Sequence, residues 1–167
     1  DPLRDAEVAC YADGAIVMVL ATSRAASKLR TQPIYIKGIG WTQDTPNLEE
    51  RDWSVAKYAR DAAKRAYAMA EISDPMEDID LAEVDDTFAY KELQHLEAIG
   101  LAPTGKSGLL LEDGYFSADG RLPVNVSGGH LGCGYAYDLS GLRSTLEIVL
   151  QLRSQAGERQ LREVKTG

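Results

Sequence analysis

Two short stretches hold the residues most able to do chemistry. The first, Glu83-Val-Asp-Asp-Thr-Phe88, sets two adjacent carboxylates, Asp85 and Asp86, at the end of an apolar stretch. Carboxylates so placed can position a proton or bind a cation. They also cap helices, and capping of the following helix accounts for Asp86 or Thr87 alone. The second, Asn125-Val-Ser-Gly-Gly-His-Leu-Gly-Cys-Gly-Tyr-Ala-Tyr-Asp-Leu-Ser-Gly141, has four glycines between Ser127 and Gly134. Closely spaced glycines let backbone approach a ligand, and amides ahead of a helix N-terminus favour developing negative charge. Cys133, Tyr135, Tyr137 and Asp138 sit at this junction. A tight irregular loop with packed tyrosines accounts for the same pattern. His130 stands beside glycine, but a lone loop histidine is more often structural or exposed than catalytic. His95, between Gln94 and Leu96, falls mid-helix on the surface. The tyrosines are scattered and make no stacking platform for bases.

The elements that must hold these stretches follow from periodicity. Ala15-Ile-Val-Met-Val-Leu-Ala21 is a short apolar run after Asp13-Gly14 and reads as a strand buried on both faces. Ser23 to Arg30 reads as a short helix with Ser23 at its N-cap. Pro33 to Ile39 alternates and is β-branched, a second strand. Thr42 to Arg51 is a loop. Ser54 to Glu71 is the clearest helix, with Val55, Ala59, Ala62, Ala66 and Met69 at helical spacing. Its alanine-rich face lets it sit close to a sheet or another helix. Asp74 to Asp80 is an acidic loop, Leu81 to Val84 a third strand, and Phe88 to Ile99 a helix closed by Gly100. Irregular sequence fills Thr104 to Gly120, and Leu122 to Val126 is extended. A last helix runs from about Leu139 to Ser154, with Leu142, Leu146, Val149 and Leu150 inward. The polar tail Gln155 to Gly167 reads as mobile.

Strands alternating with helices give an α/β layered domain with a largely parallel sheet, in which sites collect where strands end and helices begin. The sheet is thin, with about three good strands. Further strands are expected after Gly167 or from a partner chain.

A chain of 167 residues with net charge -8 and a pI near 4.8 is a poor candidate for nonspecific nucleic-acid binding or docking on an anionic membrane. Two cysteines, Cys10 and Cys133, with no CxxC pair and two histidines, give no basis for a structural zinc site. Two thiols without a disulfide framework suggest a reducing compartment. No signal peptide opens the chain, and the longest apolar run is far too short to span a bilayer. The expectation is a cytoplasmic protein that binds no metal.

At the two turns the sequence resembles the C-terminal half of thiolases, especially the sterol-carrier-protein-type and archaeal-type branch. Asp1-Pro-Leu-Arg with Asp13-Gly-Ala15 resembles the segment opening that half. Asp78 to Phe88 resembles the stretch ending in the Asn-Glu-Ala-Phe or His-Asp-Ala-Phe box. Glu92-Leu and Glu97-Ala-Ile-Gly-Leu101 follow as in the family. Pro123 to Gly129 is similar to the Asn-x-Ser-Gly-Gly box. Gln151-Leu-Arg with Ala156 to Gln160 is similar to the end of the next helix.

The departures fall on the chemistry. In typical members Gly-His-Pro follows the Ser-Gly-Gly box, and its histidine activates a nucleophilic cysteine. Here that position is Gly134-Tyr135-Ala136, and Tyr135 stands in for the histidine. His130 falls earlier, where the family has no assigned role. Asp85 replaces the Asn or His that helps hold the thioester oxyanion, while Asp86 and Phe88 keep the pattern. The nucleophilic cysteine belongs to the N-terminal half, and the late Cys-x-Gly box lies past Gly167. Cys133 does not occupy that box.

A tyrosine, with an ordinary pKa near 10, is a weak base toward a thiol but a good hydrogen-bond donor to an oxyanion, or a general acid. An ionised Asp85 repels an oxyanion. It donates only if kept protonated, and otherwise acts as a base. The pair suits proton transfer at a C–C bond beside a carbonyl better than a cysteine relay. Steroid side-chain aldolases of this superfamily also carry a tyrosine there and work with an OB-fold, zinc-ribbon-like partner subunit. They keep Asp-His-Phe where this chain has Asp86-Thr87-Phe88, so the resemblance to them is partial.

The resemblance implies an α/β, thiolase-like layered fold, its C-terminal half lacking the final strands. Residues 1–154 would form the domain, and 155–167 a polar tail leading to the missing strands. It implies a catalytic set of Tyr135, Asp85 and Asp86, and substrate-binding glycines Gly128, Gly129 and Gly134. Its substrate would be a coenzyme A thioester, with no bound cofactor. Acyl transfer in lipid metabolism is the first reading, retro-aldol cleavage the alternative, and a non-catalytic half supporting a partner or dimer the third. The implied partners are the missing N-terminal half, a second copy in a homodimer or tetramer, and an OB-fold/zinc-ribbon subunit. Beginning at Asp1 without Met, the chain is expected to be a fragment, a cleaved product or a split subunit.

Overall fold

The computed structural model describes residues 2–29 and 31–167. Asp1, which opens the resembling segment, and Arg30, the expected end of the first helix, lie outside the described residues. Among the described residues seven α-helical segments follow in order: α1 Ser23–Ala26, α2 Lys57–Ala70, α3 Pro75–Asp78, α4 Ala89–Ala98, α5 Ser107–Glu112, α6 Gly129–Cys133 and α7 Leu139–Leu152. Single 3-10 turns form at Asp5–Glu7, Leu48–Glu50 and Gly157–Arg159.

The long helices lie where the 3.6-residue period puts them. The interior is centred on the segments between them. Ile79, Ala82, Val84, Leu96, Leu101, Ala102, Phe116, Leu122 and Val124 form one buried cluster. Ala82 pairs in parallel with Val124. Its N–H donates to the Pro123 carbonyl at 3.0 Å, and its carbonyl accepts from Asn125 N at 2.9 Å. On the other edge, Asp80 N donates to the Thr166 carbonyl at 2.9 Å. The stretches ending in the two site turns therefore run side by side, and both turns emerge at one end.

The expected strands are present only as extended chain. Among the described residues, β pairing is limited to three isolated bridges: Val8 with Phe88, Tyr11 with Tyr135, and Ala82 with Val124. The run Ala15 to Ala21 is not buried on both faces: Val17 is 91% exposed and Val19 81%, while Ile16 and Met18 are half-buried. The Pro33 to Ile39 segment likewise exposes Tyr35, Ile36 and Ile39. An apolar stretch becomes a buried strand only when neighbours cover both faces, and the described residues supply one side at most.

The alanine face of α2 does make a close approach. A Cβ at Gly38 would collide with the Ala66 carbonyl, and one at Gly40 with the Ala62 carbonyl. Met69, expected inward, is exposed.

Other local readings shift. Thr22, not Ser23, caps α1, its hydroxyl accepting from Ala25 N at 3.3 Å. A helical turn, α3, forms within the expected acidic loop, and Thr104 to Gly120 contains α5. Leu142, expected inward, is exposed at 38%. His95, expected on the surface, is buried. Its ring hydrogen-bonds the Tyr58 hydroxyl through Nε2 at 2.8 Å and lies 3.1 Å from the Asp85 carbonyl through Nδ1. The polar tail is tied down: Asp80 Oδ2 accepts from Lys165 N at 2.7 Å, and Gln151 Oε1 accepts from Leu161 N at 2.9 Å.

Candidate functional site

The two turns meet through the carboxylate of Asp86. It caps neither its own helix nor a neighbour in sequence. Oδ1 accepts the backbone N–H of His130 at 2.5 Å and Oδ2 that of Leu131 at 3.3 Å. These are orphan donors of the first turn of α6, satisfied here by a side chain 44 residues away. Gly128 (φ +96°) and Gly129 (φ +57°) carry the chain into α6 in left-handed conformations. Position 129 must also lack a side chain, because a Cβ there would fall on the Asp86 carboxylate. Glu83 makes a second tie, accepting from Ser127 N at 3.1 Å and Ser127 Oγ at 2.6 Å. Burial pushes its carboxyl up, and those bonds partly offset the effect.

Asp85 is fixed differently. Oδ2 lies 2.6 Å from Lys91 Nζ, and Oδ1 accepts the Thr87 N–H at 2.9 Å and hydroxyl at 2.5 Å. Burial alone would raise its pKa. The bonds from Lys91 and Thr87 outweigh burial and hold it below the usual carboxylate range. Asp85 is an anion at neutral pH.

The N-terminal segment laces both turns together. Ala9 N donates to the Thr87 carbonyl at 2.9 Å, Tyr135 N to the Cys10 carbonyl at 2.7 Å, and Ala12 N to the Tyr135 carbonyl at 3.0 Å. Arg143 of α7 braces the far side, donating to the Gly129 carbonyl at 2.6 Å and the Gly134 carbonyl at 3.3 Å.

These contacts frame an open cavity of about 520 Å³, whose wall includes Glu83, Asp85, His130, Tyr135, Tyr137 and Ser140. Of the residues singled out from sequence, Tyr135 and Asp85 share this wall. Asp86 sits behind it, 3% exposed. Gly128, Gly129 and Gly134 are not among the lining residues; they set the backbone around it. Neither thiol lines the cavity: Cys10 and Cys133 are both exposed, and Cys133 Sγ contacts the Ser127 carbonyl at 3.1 Å.

His130 lies in the wall and is 4% exposed, not in an exposed loop. Its ring meets Tyr135 edge-on, centroids 5.8 Å apart. Three tyrosines that are separated along the sequence meet beside it. Tyr137 stacks on Tyr11 at 5.5 Å and tilts against Tyr135 at 5.3 Å. Tyr11 is remote in sequence, and only the bridge to Tyr135 could have announced it. Glu92, in the first turn of α4, entered from the sequence only as part of a resembling pair, with no role assigned. Burial, with the charge of Asp86 adding to it, pushes its carboxyl up to about 7.

Comparison with known proteins defines the class. The chain belongs to the thiolase C-terminal domain-like family, whose model matches residues 40–167. Over its whole length it is 33% identical to an acetyl-CoA acetyltransferase of Methanothermobacter thermautotrophicus, covering 43% of that protein. It is 33% identical to sterol carrier protein 2 of Oryctolagus cuniculus, over 89% of this chain and 28% of that one. Among solved structures it is similar to the Ltp2-ChsH2(DUF35) aldolase, with TM-score 0.74 and 26% identity, over 86% of this chain and 37% of that chain. The chain thus spans less than half the length of these relatives. These likenesses fit a thiolase-like α/β fold, here helix-rich and with few strand pairings. Among the described residues, no helix is long and apolar enough to cross a membrane.

Proposed function

We propose that this chain is the C-terminal half of a thiolase-fold enzyme that cleaves a C–C bond beside the carbonyl of an acyl-CoA thioester by a retro-aldol reaction. One observation carries the choice: where the family has its Gly-His-Pro histidine the cavity wall presents Tyr135, and Asp85, held as an anion by Lys91 and Thr87, shares that wall. A tyrosine there is a weak base toward the thiol that acyl transfer must activate, and Asp85, tied to Lys91 and Thr87, adds a fixed negative charge beside it. Tyr135 supplies a hydroxyl able to hand a proton to or from an oxygen. Asp86 holds α6, and with it Tyr135, in register.

The site is completed by the N-terminal half, whose strands would cover Ala15 to Ala21 and Ile34 to Ile39 and give the layered architecture its missing neighbours. A homodimer or tetramer, and the OB-fold subunit implied by the sequence resemblance, complete the assembly; the neighbour's name, which pairs Ltp2 with ChsH2(DUF35), supports a second subunit. No metal or bound cofactor takes part in this reading. Acyl transfer is the second reading, favoured by identity to a protein named acetyl-CoA acetyltransferase. Incubation of the complete protein with a 3-hydroxyacyl-CoA separates them. The retro-aldol reading expects a ketone or aldehyde together with the shortened acyl-CoA. Thiolysis of a 3-ketoacyl-CoA by CoA instead supports acyl transfer, and turnover of neither supports a non-catalytic half.

A further inference from the structure

A tyrosine that must accept a proton at neutral pH needs somewhere to send its own. The wall beside Tyr135 holds two carboxyl groups already engaged, Asp85 by Lys91 and Thr87 and Glu83 by Ser127, and one unengaged group able to take it. His130 is 4% exposed, yet its ring nitrogens make no hydrogen bond of normal geometry. Nδ1 lies 3.2 Å from Asp86 Oδ1 and 3.5 Å from Asp85 Oδ1. Nε2 is buried without a partner. Leaving a buried nitrogen unpaired is costly, so a histidine kept in this state is set aside for an exchange the resting structure does not show.

The groups facing the ring come from three segments. Asp85 and Asp86 lie on the Nδ1 side, and Tyr135 lies edge-on. Glu83 shares the cavity wall. Arg143 donates to the carbonyls of Gly129 and Gly134, on either side of His130 along the chain. The two carboxylates favour a proton on Nδ1, which leaves Nε2 as the acceptor.

We infer that His130, oriented by Asp86, is a positioning residue for Tyr135 and the store for its proton in cleavage of a 3-hydroxyacyl thioester. This rests on the retro-aldol reading. The hydroxyl proton of the substrate passes to the Tyr135 oxygen as the Tyr135 proton passes to Nε2. The oxygen's electron pair then forms the new carbonyl, the C–C bond breaks, and its pair becomes the thioester enolate. The stored proton returns through Tyr135 to the α-carbon. Protons and electrons balance with no further reactant.

His130→Gln in the complete protein keeps a side-chain amide near the same place but cannot store the proton. Turnover of a 3-hydroxyacyl-CoA is expected to fall 100-fold or more. Affinity for an unhydroxylated acyl-CoA should hold, so that kcat falls while KM stays within a few-fold. Activity within threefold of wild type, or a loss confined to KM, overturns the inference. Nitrogen NMR of wild-type His130 gives a readout that needs neither turnover nor the variant's folding. The expected result is a proton on Nδ1, none on Nε2, and a shifted Nε2 resonance in Tyr135→Phe. A protonated Nε2, or a resonance indifferent to Tyr135, overturns the inference even if the enzyme is active. A wild-type protein with the expected resonances but no cleavage of any 3-hydroxyacyl-CoA overturns the retro-aldol reading and leaves the His130–Tyr135 coupling standing.

Discussion

Gly129 is a glycine because the Asp86 carboxylate occupies the space where its side chain would be. That contact helps lock the two turns together, since the same carboxylate accepts N–H groups of the first turn of α6. Gly129→Ala places a Cβ on a buried anion and forces a non-glycine residue to φ +57°. The expected loss is about 2–4 kcal/mol, the sum of overpacking and left-handed strain. Gly132→Ala, three residues on, meets nothing within 4 Å and should be near neutral. Urea unfolding of the two variants checks the contrast.

Glu92 should make stability fall with rising pH. Its folded carboxyl titrates at about 7, above the ordinary value near 4.3. Between those values the folded state binds more proton than the unfolded state, so stability drops as pH rises through the window. Glu92→Gln removes that loss. The variant should be more stable than wild type at pH 8 by about 1–2 kcal/mol, allowing for partial solvent screening, and gain nothing at pH 4.5. Thermal melts at the two pH values read the difference.

Asp85 should behave in the opposite sense. Its pKa is depressed, so its stabilisation is complete at neutral pH and fades only as pH falls below the ordinary carboxylate value near 4. Lys91→Met removes the ion pair at 2.6 Å. The account expects a loss of about 1–2 kcal/mol at pH 7 that shrinks toward pH 3, measured by denaturant titration across pH.

Gly38 and Gly40 should be intolerant of alanine because each faces a carbonyl of α2. Either substitution should pry the 38–41 segment from the helix and cost about 1–3 kcal/mol. Arg65, which donates to the Trp41 carbonyl at 2.9 Å, offers the readout. Hydrogen exchange should rise in α2 and at Trp41 together, and protection equal to wild type would contradict the packing.

The longer helices were legible because period and composition suffice for an amphipathic helix. The site turns were legible for a different reason: Asp85-Asp86 and the Ser127 to Gly134 glycines are residue types that few backbones require together. Asp86 was readable as a cap but not as the cap of α6, because a cap 44 residues away leaves no local pattern. The same holds for His95, which its position along the helix places on the surface. It is buried by Tyr58, 37 residues distant. The apolar run at Val17 and Val19 read as a buried strand because composition records what a segment needs covered, while exposure records what covers it.

The central claim is that Tyr135 and the anionic Asp85 serve C–C cleavage by proton transfer, not acyl transfer through a thiol. The direct measurement is product analysis of the complete protein given a 3-hydroxyacyl-CoA, beside its Tyr135→Phe variant. The account predicts a carbonyl product and a shortened acyl-CoA from wild type, with turnover in Tyr135→Phe down at least 100-fold and acyl-CoA affinity retained. Equal turnover in the two proteins, or CoA-dependent thiolysis of a 3-ketoacyl-CoA in place of cleavage, would contradict it.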